Sequence, residues 1–269
     1  MHSSPSSPIG IFDSGVGGLT VARAVMERLP SENIVYFGDT ARVPYGVKSK
    51  EIIARYAGEI TRFLLDKQVK LLIIACNTMA AVALQTVRDL SPVPVLEVID
   101  AGARNAVART RNRRIGIIAT PSTINSEAYL QAIRRHDAGE MFITSRACPL
   151  FVPLVEEGWL DHPVTRLTAQ EYLAPLLAEN IDTLVLGCTH YPLLKPLLQT
   201  VTGPDVALLD SAEAISERTA AILREMDLEN PQQGAPGHVF HVTDVPHRFQ
   251  EIGERFLGRA LTDVRREEL

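Results

Sequence analysis

Short aliphatic runs recur along this chain, and each one ends in small or hydroxyl-bearing residues that lead into a helix-like segment. Two of the runs carry a cysteine at their end: Cys76 in KLLIIACNTM and Cys188 in TLVLGCTHY. A buried parallel strand is typically a short uninterrupted aliphatic run, and strands that alternate with helices are typical of a parallel sheet. The alternation therefore predicts an α/β protein built on parallel sheets.

Both cysteines are predicted to lie where such a fold binds its ligands. Open α/β sheets bind ligands at the carboxyl ends of their strands. A helix N-terminus, predicted to follow each cysteine, favours the thiolate form of a nearby cysteine. The two copies are separated by 188 − 76 = 112 positions, so each can serve one half of the molecule. We therefore predict that the two thiols face each other across one small-molecule site.

Three chemistries can use such thiols. A catalytic disulfide is the first, but the chain has no Cys-x-x-Cys pair. The second is acyl transfer by a Cys–His nucleophile, with His190 two residues after Cys188, and it leaves Cys76 unexplained. The third is proton transfer at a carbon by two bases on opposite faces of a substrate. Only this one explains why two similar cysteine segments exist, each forming one half-site. Cys148, followed by proline in apolar sequence, is expected to be inert core packing.

Polar residues accompany the predicted strand ends. Asp13 stands at the end of the first strand, where its carboxylate can bind an amino group. Glu156 closes an apolar stretch with two prolines that predict irregular structure, and it can enter the cleft. Hydroxyls, amides and helix-start N–H groups hold carboxylates well without Arg or Lys. The residues that offer such groups are Ser14, Asn77, Thr78, Thr120, Thr123 and Thr189.

Composition and charge exclude several classes of protein. The formal net charge of −5 gives no nucleic-acid footprint, and no apolar run approaches the ~18 residues that a membrane span requires. Three cysteines argue against a disulfide framework and for a reducing cytoplasm. The Ser/Pro-rich start, residues 1–8, predicts a disordered tail.

No cofactor or metal is predicted. The glycines of DSGVGGL match neither the dinucleotide nor the P-loop spacing, and they are expected to let the first helix pack close to the sheet. No lysine lies in a setting typical of a pyridoxal Schiff base, and the histidines lack metal-ligand spacing.

Five motifs occur in order along the chain: IGIFDSGVGGL, GDTARVPYG, ACNTM, CPLFVPLVE and GCTHYPLL. Together they resemble the glutamate racemases of the cofactor-independent aspartate/glutamate racemase superfamily, over about Ile9 to Met226. The resemblance implies two doubly wound parallel-sheet domains related by pseudo-twofold symmetry, with the active site between them. Residues 1–98 plus 207–269 would form the first α/β domain, and 99–206 the second.

The resemblance also implies a reaction. It implies interconversion of L- and D-glutamate without a cofactor, which supplies D-glutamate for peptidoglycan. Cys76 would act on D-glutamate and Cys188 on L-glutamate, assisted by Asp13, His190 and Glu156. The residues implied to hold the substrate are Asp13, Ser14, Tyr45, Gly46, Asn77, Thr78, Thr120, Thr123, Thr189 and His190.

Two alternatives stay open at this point. One is an aspartate racemase of the same superfamily, because the cleft composition does not measure side-chain length. The other is a gyrase-binding regulatory protein with vestigial catalysis. Family members are often homodimers, some require a muropeptide-precursor activator and some bind DNA gyrase; the resemblance assigns neither of the last two traits to this chain. It implies no membrane partner and no direct nucleic-acid partner.

Overall fold

The computed structural model describes residues 4–137, 139–231, 235–244 and 247–269. The chain divides into two compact units. Unit 1 comprises Met1–Val98 and Ala212–Leu269, and unit 2 comprises Ile99–Ser211. Each unit has its own parallel sheet, which confirms the α/β prediction.

Strands and helices alternate through most of the described chain. The strands are β1 (Ile9–Asp13), β2 (Ile34–Gly38), β3 (Leu71–Ile74), β4 (Val95–Glu97), β5 (Arg114–Ala119), β6 (Phe142–Ala147), β7 (Thr183–Gly187), β8 (Ala207–Asp210), β9 (His238–Val242) and β10 (Val264–Arg266). The α-helices are α1 (Leu19–Arg28), α2 (Lys50–Asp66), α3 (Asn77–Leu90), α4 (Val98–Arg109), α5 (Pro121–Asn125), α6 (Ala128–His136), α7 (Phe151–Glu156), α8 (Pro163–Leu177), α9 (Lys195–Thr202), α10 (Ser211–Glu225) and α11 (His247–Leu257). Short 3-10 helices occupy Thr40–Arg42, Tyr45–Val47 and Tyr191–Leu194. Over the ranges given above, no helix combines the length and apolar character needed to cross a bilayer.

Unit 1 is built on a six-stranded sheet in the order β10-β9-β2-β1-β3-β4, and every strand pair in it is parallel. All residues of β1, β2 and β3 are buried. Burial on both faces explains why these strands are uninterrupted apolar runs rather than alternating ones.

The strand order of this sheet reverses between β1 and β3. From β1 the chain crosses to β2 on one side and then returns to β3 on the other. Open α/β sheets bind ligands outside the carboxyl ends of the strands at such a reversal. Asp13 is the last residue of β1, and Cys76 lies two residues beyond the end of β3.

Unit 2 repeats this arrangement with four parallel strands in the order β6-β5-β7-β8. The order matches β2-β1-β3-β4 of unit 1, so β5 corresponds to β1 and β7 corresponds to β3. The reversal therefore lies between β5 and β7, and Thr120 and Cys188 directly follow those strands. Each sheet thus has a cysteine after the corresponding strand, Cys76 after β3 and Cys188 after β7.

The end of unit 2 differs from the prediction. The second domain was predicted to end at residue 206, whereas unit 2 ends at Ser211. Strand β8 pairs with β7, in the register Thr183↔Ala207 to Leu186↔Asp210. Because this pairing attaches β8 to the sheet of unit 2, the division follows Ser211.

The proline-containing stretch before Glu156 is helical rather than irregular. Helix α7 spans Phe151–Glu156 and has Pro153 as its third residue. The first N–H groups of a helix have no intrahelical acceptor, so proline costs no hydrogen bond there. The expectation of irregular structure was wrong for this reason.

A buried ion pair joins three distant parts of unit 1. Lys70 Nζ lies 2.5 Å from Glu32 Oε2, and the two side chains are 0% and 3% exposed. Lys70 Nζ also donates to the carbonyl oxygens of Pro5 and Leu228, at 2.6 and 2.7 Å. Glu32 Oε1 accepts from the backbone N–H of Asn230 at 2.8 Å. The part of the N-terminal segment that the structure describes is therefore attached to the fold, contrary to the predicted disordered tail.

We predict that Lys70→Met lowers the free energy of unfolding by about 3–5 kcal/mol, because it leaves the Glu32 carboxylate buried without its cation. Urea denaturation of the purified protein measures this loss. The double variant Lys70→Met/Glu32→Gln removes the charge as well and should lose less. Arg23→Met, which breaks an exposed pair with Glu27, should cost at most about 1 kcal/mol. Equal losses for the buried and exposed pairs would contradict the prediction.

Candidate active site

The half-site of unit 1 is built around the start of helix α3. Cys76 is the N-cap residue of this 14-residue helix and is 5% exposed. Its Sγ donates to Ser14 Oγ at 3.5 Å. Asn77 and Thr78 form the first turn and are also buried. Because the positive end of the helix dipole points at the sulfur, this position favours a thiolate.

Asp13 is the last residue of β1 and directly precedes Ser14, the hydrogen-bond partner of this thiol. Its Oδ2 accepts from the backbone N–H of Gly15 at 2.9 Å, and the residue is 1% exposed. A Cβ atom on Gly18 would lie 2.5 Å from Asp13 Cβ, so only glycine permits this approach. Gly18 itself occupies the N-cap position of α1. Asp13 therefore lies next to the start of α1, but the N-cap residue of this helix is Gly18, and the carboxylate accepts from the loop at Gly15.

Tyr36, which no sequence motif singles out, contacts the same loop. Its hydroxyl donates to the Gly15 carbonyl oxygen at 2.9 Å. Burial raises the pKa of Tyr36 well above its usual value, and the charges of Asp13 and Cys76 raise it further. The hydroxyl therefore stays protonated and is a permanent donor. In the sequence, Tyr36 is one of several large apolar residues of a buried strand, and nothing in that pattern shows that its hydroxyl has a polar partner.

The loop that carries Tyr45 and Gly46 is held by a buried carboxylate. Asp39 accepts from Arg42 Nε at 2.6 Å, from Thr243 Oγ1 at 2.8 Å and from the Tyr45 hydroxyl. Burial raises the pKa of Tyr45, and the charge of Asp39 adds to the rise. Since this hydroxyl is committed to Asp39, a ligand would meet the backbone of Tyr45 and Gly46 rather than the phenol.

The half-site of unit 2 is a chain of thiol, imidazole and carboxylate. Cys188 Sγ lies 3.9 Å from His190 Nδ1, and His190 Nε2 lies 2.9 Å from Glu156 Oε1. Cys188, Thr189 and His190 are all less than 9% exposed. The expected α-helix does not follow directly. His190 is instead the N-cap of the short 3-10 helix Tyr191–Leu194, which runs into α9.

The pKa of His190 is raised by its two hydrogen-bond partners. Burial alone would lower its pKa, but the hydrogen bonds to Cys188 and Glu156, and the negative charges of both, raise the pKa to about 10. At neutral pH the ring is therefore an imidazolium beside the sulfur. A positive charge at this distance stabilises a thiolate, and Glu156 fixes the orientation of the ring.

Two threonine hydroxyls lie at the end of β5. Thr120 is the N-cap residue of α5 and accepts from the backbone N–H of Thr123 at 3.4 Å. The two side-chain oxygens are 3.0 Å apart. The end of β5, whose neighbour β7 leads into Cys188, thus carries two hydroxyl groups.

Cys148 differs from the other two cysteines, although all three are free. It is fully buried, and its Sγ donates to the Arg146 carbonyl oxygen at 3.6 Å. Burial raises its pKa to about 12; the charge of Cys188 adds to the rise and that of Arg146 opposes it. Its thiol is therefore protonated at neutral pH.

The predicted site residues fall into two sets, one in each unit. Unit 1 holds Asp13, Ser14, Tyr45, Gly46, Cys76, Asn77 and Thr78. Unit 2 holds Thr120, Thr123, Glu156, Cys188, Thr189 and His190. Within the ranges of the chain that the structure describes, no group of three or more His, Cys, Asp or Glu side chains is arranged to hold a metal ion.

The known proteins that this chain is similar to are amino-acid racemases. The family model of Asp/Glu/hydantoin racemases matches residues 19–219. A glutamate racemase of Syntrophus aciditrophicus is 70% identical over 262 residues, which is 97% of each chain. The structure of glutamate racemase from Francisella tularensis in complex with D-glutamate has a TM-score of 0.93 at 40% identity, over 98% of each chain. The Escherichia coli glutamate racemase in complex with L-glutamate and the activator UDP-MurNAc-ala has a TM-score of 0.78 at 29% identity, over 96% of this chain and 97% of that one.

We predict that Glu156→Gln lowers the pKa of His190 below about 10, because the substitution removes one of the two negative charges that raise it. NMR titration of the His190 ring measures the change, and Asp161→Asn, at an exposed pair with Arg166, is the control. The folded pKa lies above the unfolded value of about 6.5. His190 therefore adds stability that is complete below about pH 6.5 and is lost as the pH rises toward about 10. An unchanged titration in Glu156→Gln would contradict the assignment.

Proposed function

Because this chain belongs to the Asp/Glu/hydantoin racemase family, we propose that it interconverts L- and D-glutamate by proton transfer between the α-carbon and two thiols, Cys76 and Cys188. One observation carries the proposal: two sheets with the same strand order each have a buried cysteine after the corresponding strand. An enzyme of this family is an isomerase, and relatives named glutamate racemase reach 70% identity. This identity favours glutamate over aspartate as the substrate.

In the direction from L- to D-glutamate, the Cys188 thiolate removes the α-proton and becomes a thiol. The Cys76 thiol then delivers its proton to the opposite face of the planar carbanion and becomes a thiolate. One C–H bond breaks and one forms, so the atoms and charges balance without an external reactant. The reverse reaction exchanges the two roles, with Cys76 acting on D-glutamate.

Each half-site supplies a different kind of assistance. In unit 2 the imidazolium of His190, held by Glu156 at 2.9 Å, stabilises the Cys188 thiolate. In unit 1 the start of α3 supports the Cys76 thiolate, and Asp13 pairs with the α-ammonium group of the substrate and assists the thiol. The positive potential of the imidazolium and of the helix start also lowers the cost of holding a carboxylate substrate beside a thiolate.

The carboxylates of glutamate are bound by hydroxyl, amide and backbone N–H groups. We assign substrate binding to Asp13 for the ammonium group and, for the rest of the molecule, to Ser14, Asn77, Thr78, Thr120, Thr123, Thr189 and His190, with the backbone of Tyr45 and Gly46. Several of these lie in the first turn of a helix, where free N–H groups attract anions.

The cellular role follows from the same reaction. We propose that the D-glutamate is used in peptidoglycan synthesis. Three free cysteines favour a reducing cytoplasm. We further propose that the protein acts as a homodimer, as the resemblance implies.

The direct test is circular dichroism of separate L- and D-glutamate solutions with purified protein. Both signals should decay to zero, since the two enantiomers have equal free energy. Aspartate under the same conditions is the competing substrate, and faster racemisation of aspartate would assign the enzyme to that amino acid. A protein that only binds glutamate would also leave the α-proton unexchanged in deuterated water, and this result would refute the proposal.

We predict that Cys76→Ala and Cys188→Ala each reduce racemisation by roughly a thousandfold or more, because each removes one of the two proton-transfer groups. Each variant should still expel a leaving group from the β-carbon of a glutamate analogue on the face that its remaining thiol serves. Cys148→Ala is the matched control and should keep near-normal turnover. Full racemisation in either of the first two variants would refute the two-base assignment.

We predict that racemisation needs no cofactor. Protein that has been dialysed, treated with a metal chelator and shown to lack pyridoxal absorbance should racemise glutamate at an undiminished rate. Recovery of a lost rate on addition of a metal or of pyridoxal phosphate would refute this claim.

A further inference from the structure

We propose that two buried tyrosines, Tyr36 in unit 1 and Tyr191 in unit 2, are positioning residues for the two thiols. Each acts through one hydrogen bond from its hydroxyl to a backbone carbonyl oxygen: that of Gly15, next to Ser14, for Tyr36, and that of Cys148, just before helix α7, for Tyr191. The inference rests on the proposed function, since it names groups that keep the two bases in place. Neither tyrosine is assigned to contact the substrate.

Tyr36 acts on the loop that carries Asp13 and Ser14. Its hydroxyl donates to the Gly15 carbonyl oxygen at 2.9 Å, while the Gly15 N–H donates to Asp13 Oδ2 at 2.9 Å. Gly15 is therefore held through both of its backbone polar groups. This fixes Ser14, whose Oγ accepts from Cys76 Sγ at 3.5 Å. The Tyr36 hydroxyl is thus connected to the thiol by two hydrogen bonds and by the short backbone segment between Gly15 and Ser14.

Two glycines make room for this arrangement. A Cβ atom on Gly18 would lie 2.9 Å from the Tyr36 hydroxyl oxygen. A Cβ atom on Gly38 would lie 2.4 Å from the Gly15 carbonyl oxygen and 3.2 Å from the Tyr36 ring. The contacts with the two oxygens are closer than packed carbon and oxygen atoms allow. The glycine-rich loop and the end of β2 are therefore shaped to let the tyrosine reach Gly15.

Tyr191 has the corresponding role in unit 2. Its hydroxyl donates to the Cys148 carbonyl oxygen at 2.8 Å, and its backbone N–H donates to the Cys188 carbonyl oxygen at 3.1 Å. Cys148 is itself anchored, because its N–H donates to the carbonyl oxygen of Ala119 at the end of β5. The Tyr191 ring packs edge-on against Phe151 of α7, at 5.3 Å between centroids. Tyr191 therefore ties the loop of Cys188 and His190 to the helix that carries Glu156.

The two hydroxyls are donors rather than proton carriers. Burial raises the pKa of Tyr36 and of Tyr191 well above the usual value for tyrosine. The negative charges of Asp13 and of the Cys76 thiolate raise the pKa of Tyr36 further, and that of the Cys188 thiolate raises the pKa of Tyr191. Because neither hydroxyl ionises at any pH at which the enzyme works, their effect on the reaction is through geometry.

The test compares Tyr36→Phe with Tyr191→Phe, since each substitution removes one hydroxyl and keeps the ring. Each variant should lose roughly tenfold to a hundredfold in kcat for glutamate racemisation, with a smaller change in KM, because small displacements of reacting groups have effects of this size. The second measurement is the rate of iodoacetamide alkylation of each cysteine against pH, followed by peptide mass spectrometry. Alkylation reports the thiolate directly and requires no racemisation.

The two variants serve as controls for each other. Tyr36→Phe should shift the alkylation profile of Cys76 and leave that of Cys188 unchanged, and Tyr191→Phe should do the reverse. Tyr56→Phe is a further control in unit 1, since the Tyr56 ring packs against the Arg42 guanidinium and its hydroxyl makes no hydrogen bond within the described residues. It should leave both profiles and kcat unchanged.

Several outcomes would overturn the inference. Unchanged kcat and unchanged profiles in both variants would do so, and so would equal shifts of both thiols in each variant, which indicate general loosening. If one variant fails to fold in thermal melts, the other tests the same claim; failure of both would show a role in overall stability instead. Thiol-specific shifts in a protein that does not racemise glutamate would refute the proposed function alone. Unshifted profiles in a protein that does racemise it would refute only the positioning role.

Discussion

The reversal of strand order within each parallel sheet determines where this protein can carry reactive groups. At the reversal, neighbouring strands send the chain in opposite directions, so their carboxyl ends are left uncovered by the crossover segments. Asp13 and Cys76 follow one such pair of strands, and Thr120 and Cys188 follow the other. Every further feature of the two half-sites, from the helix start at Cys76 to the imidazole beside Cys188, is an addition to these two positions.

Equal topology does not give the two thiols equal surroundings. Cys76 caps a 14-residue helix and has the carboxylate of Asp13 in the adjoining loop. Cys188 precedes a four-residue 3-10 helix, whose dipole is small, and has the imidazolium of His190 instead. A helix dipole and a side-chain cation are different physical means of stabilising the same anion. In the proposed mechanism each thiol acts on one of two mirror-image substrates inside a chiral protein, so the two thiols need no identical surroundings.

The positions of Cys76 and Cys188 were predictable because the signal is local: an apolar run, then small and hydroxyl-bearing residues, then a helix. Features that depend on distant pairing were not. Strand β10 was not predicted, since its three residues become a strand only by pairing with β9. The boundary after Ser211 depends on the pairing of β8 with β7. Helix α7 was hidden because the position of Pro153 within a helix, which decides its cost, is not known until the helix start is known.

The glycine-rich loop after β1 shows how one sequence pattern acquires its meaning from packing. In the sequence, the glycines of DSGVGG lack the spacing of a phosphate-binding loop and predict only that the first helix packs close to the sheet. In the structure, a Cβ atom on Gly18 would lie too close to both Asp13 Cβ and the Tyr36 hydroxyl, so no residue with a side chain fits at this position. The glycine is thus needed because a carboxylate and a tyrosine occupy the space beside it. The loop orients these two groups around Gly15, and its glycines follow from the groups that they leave room for.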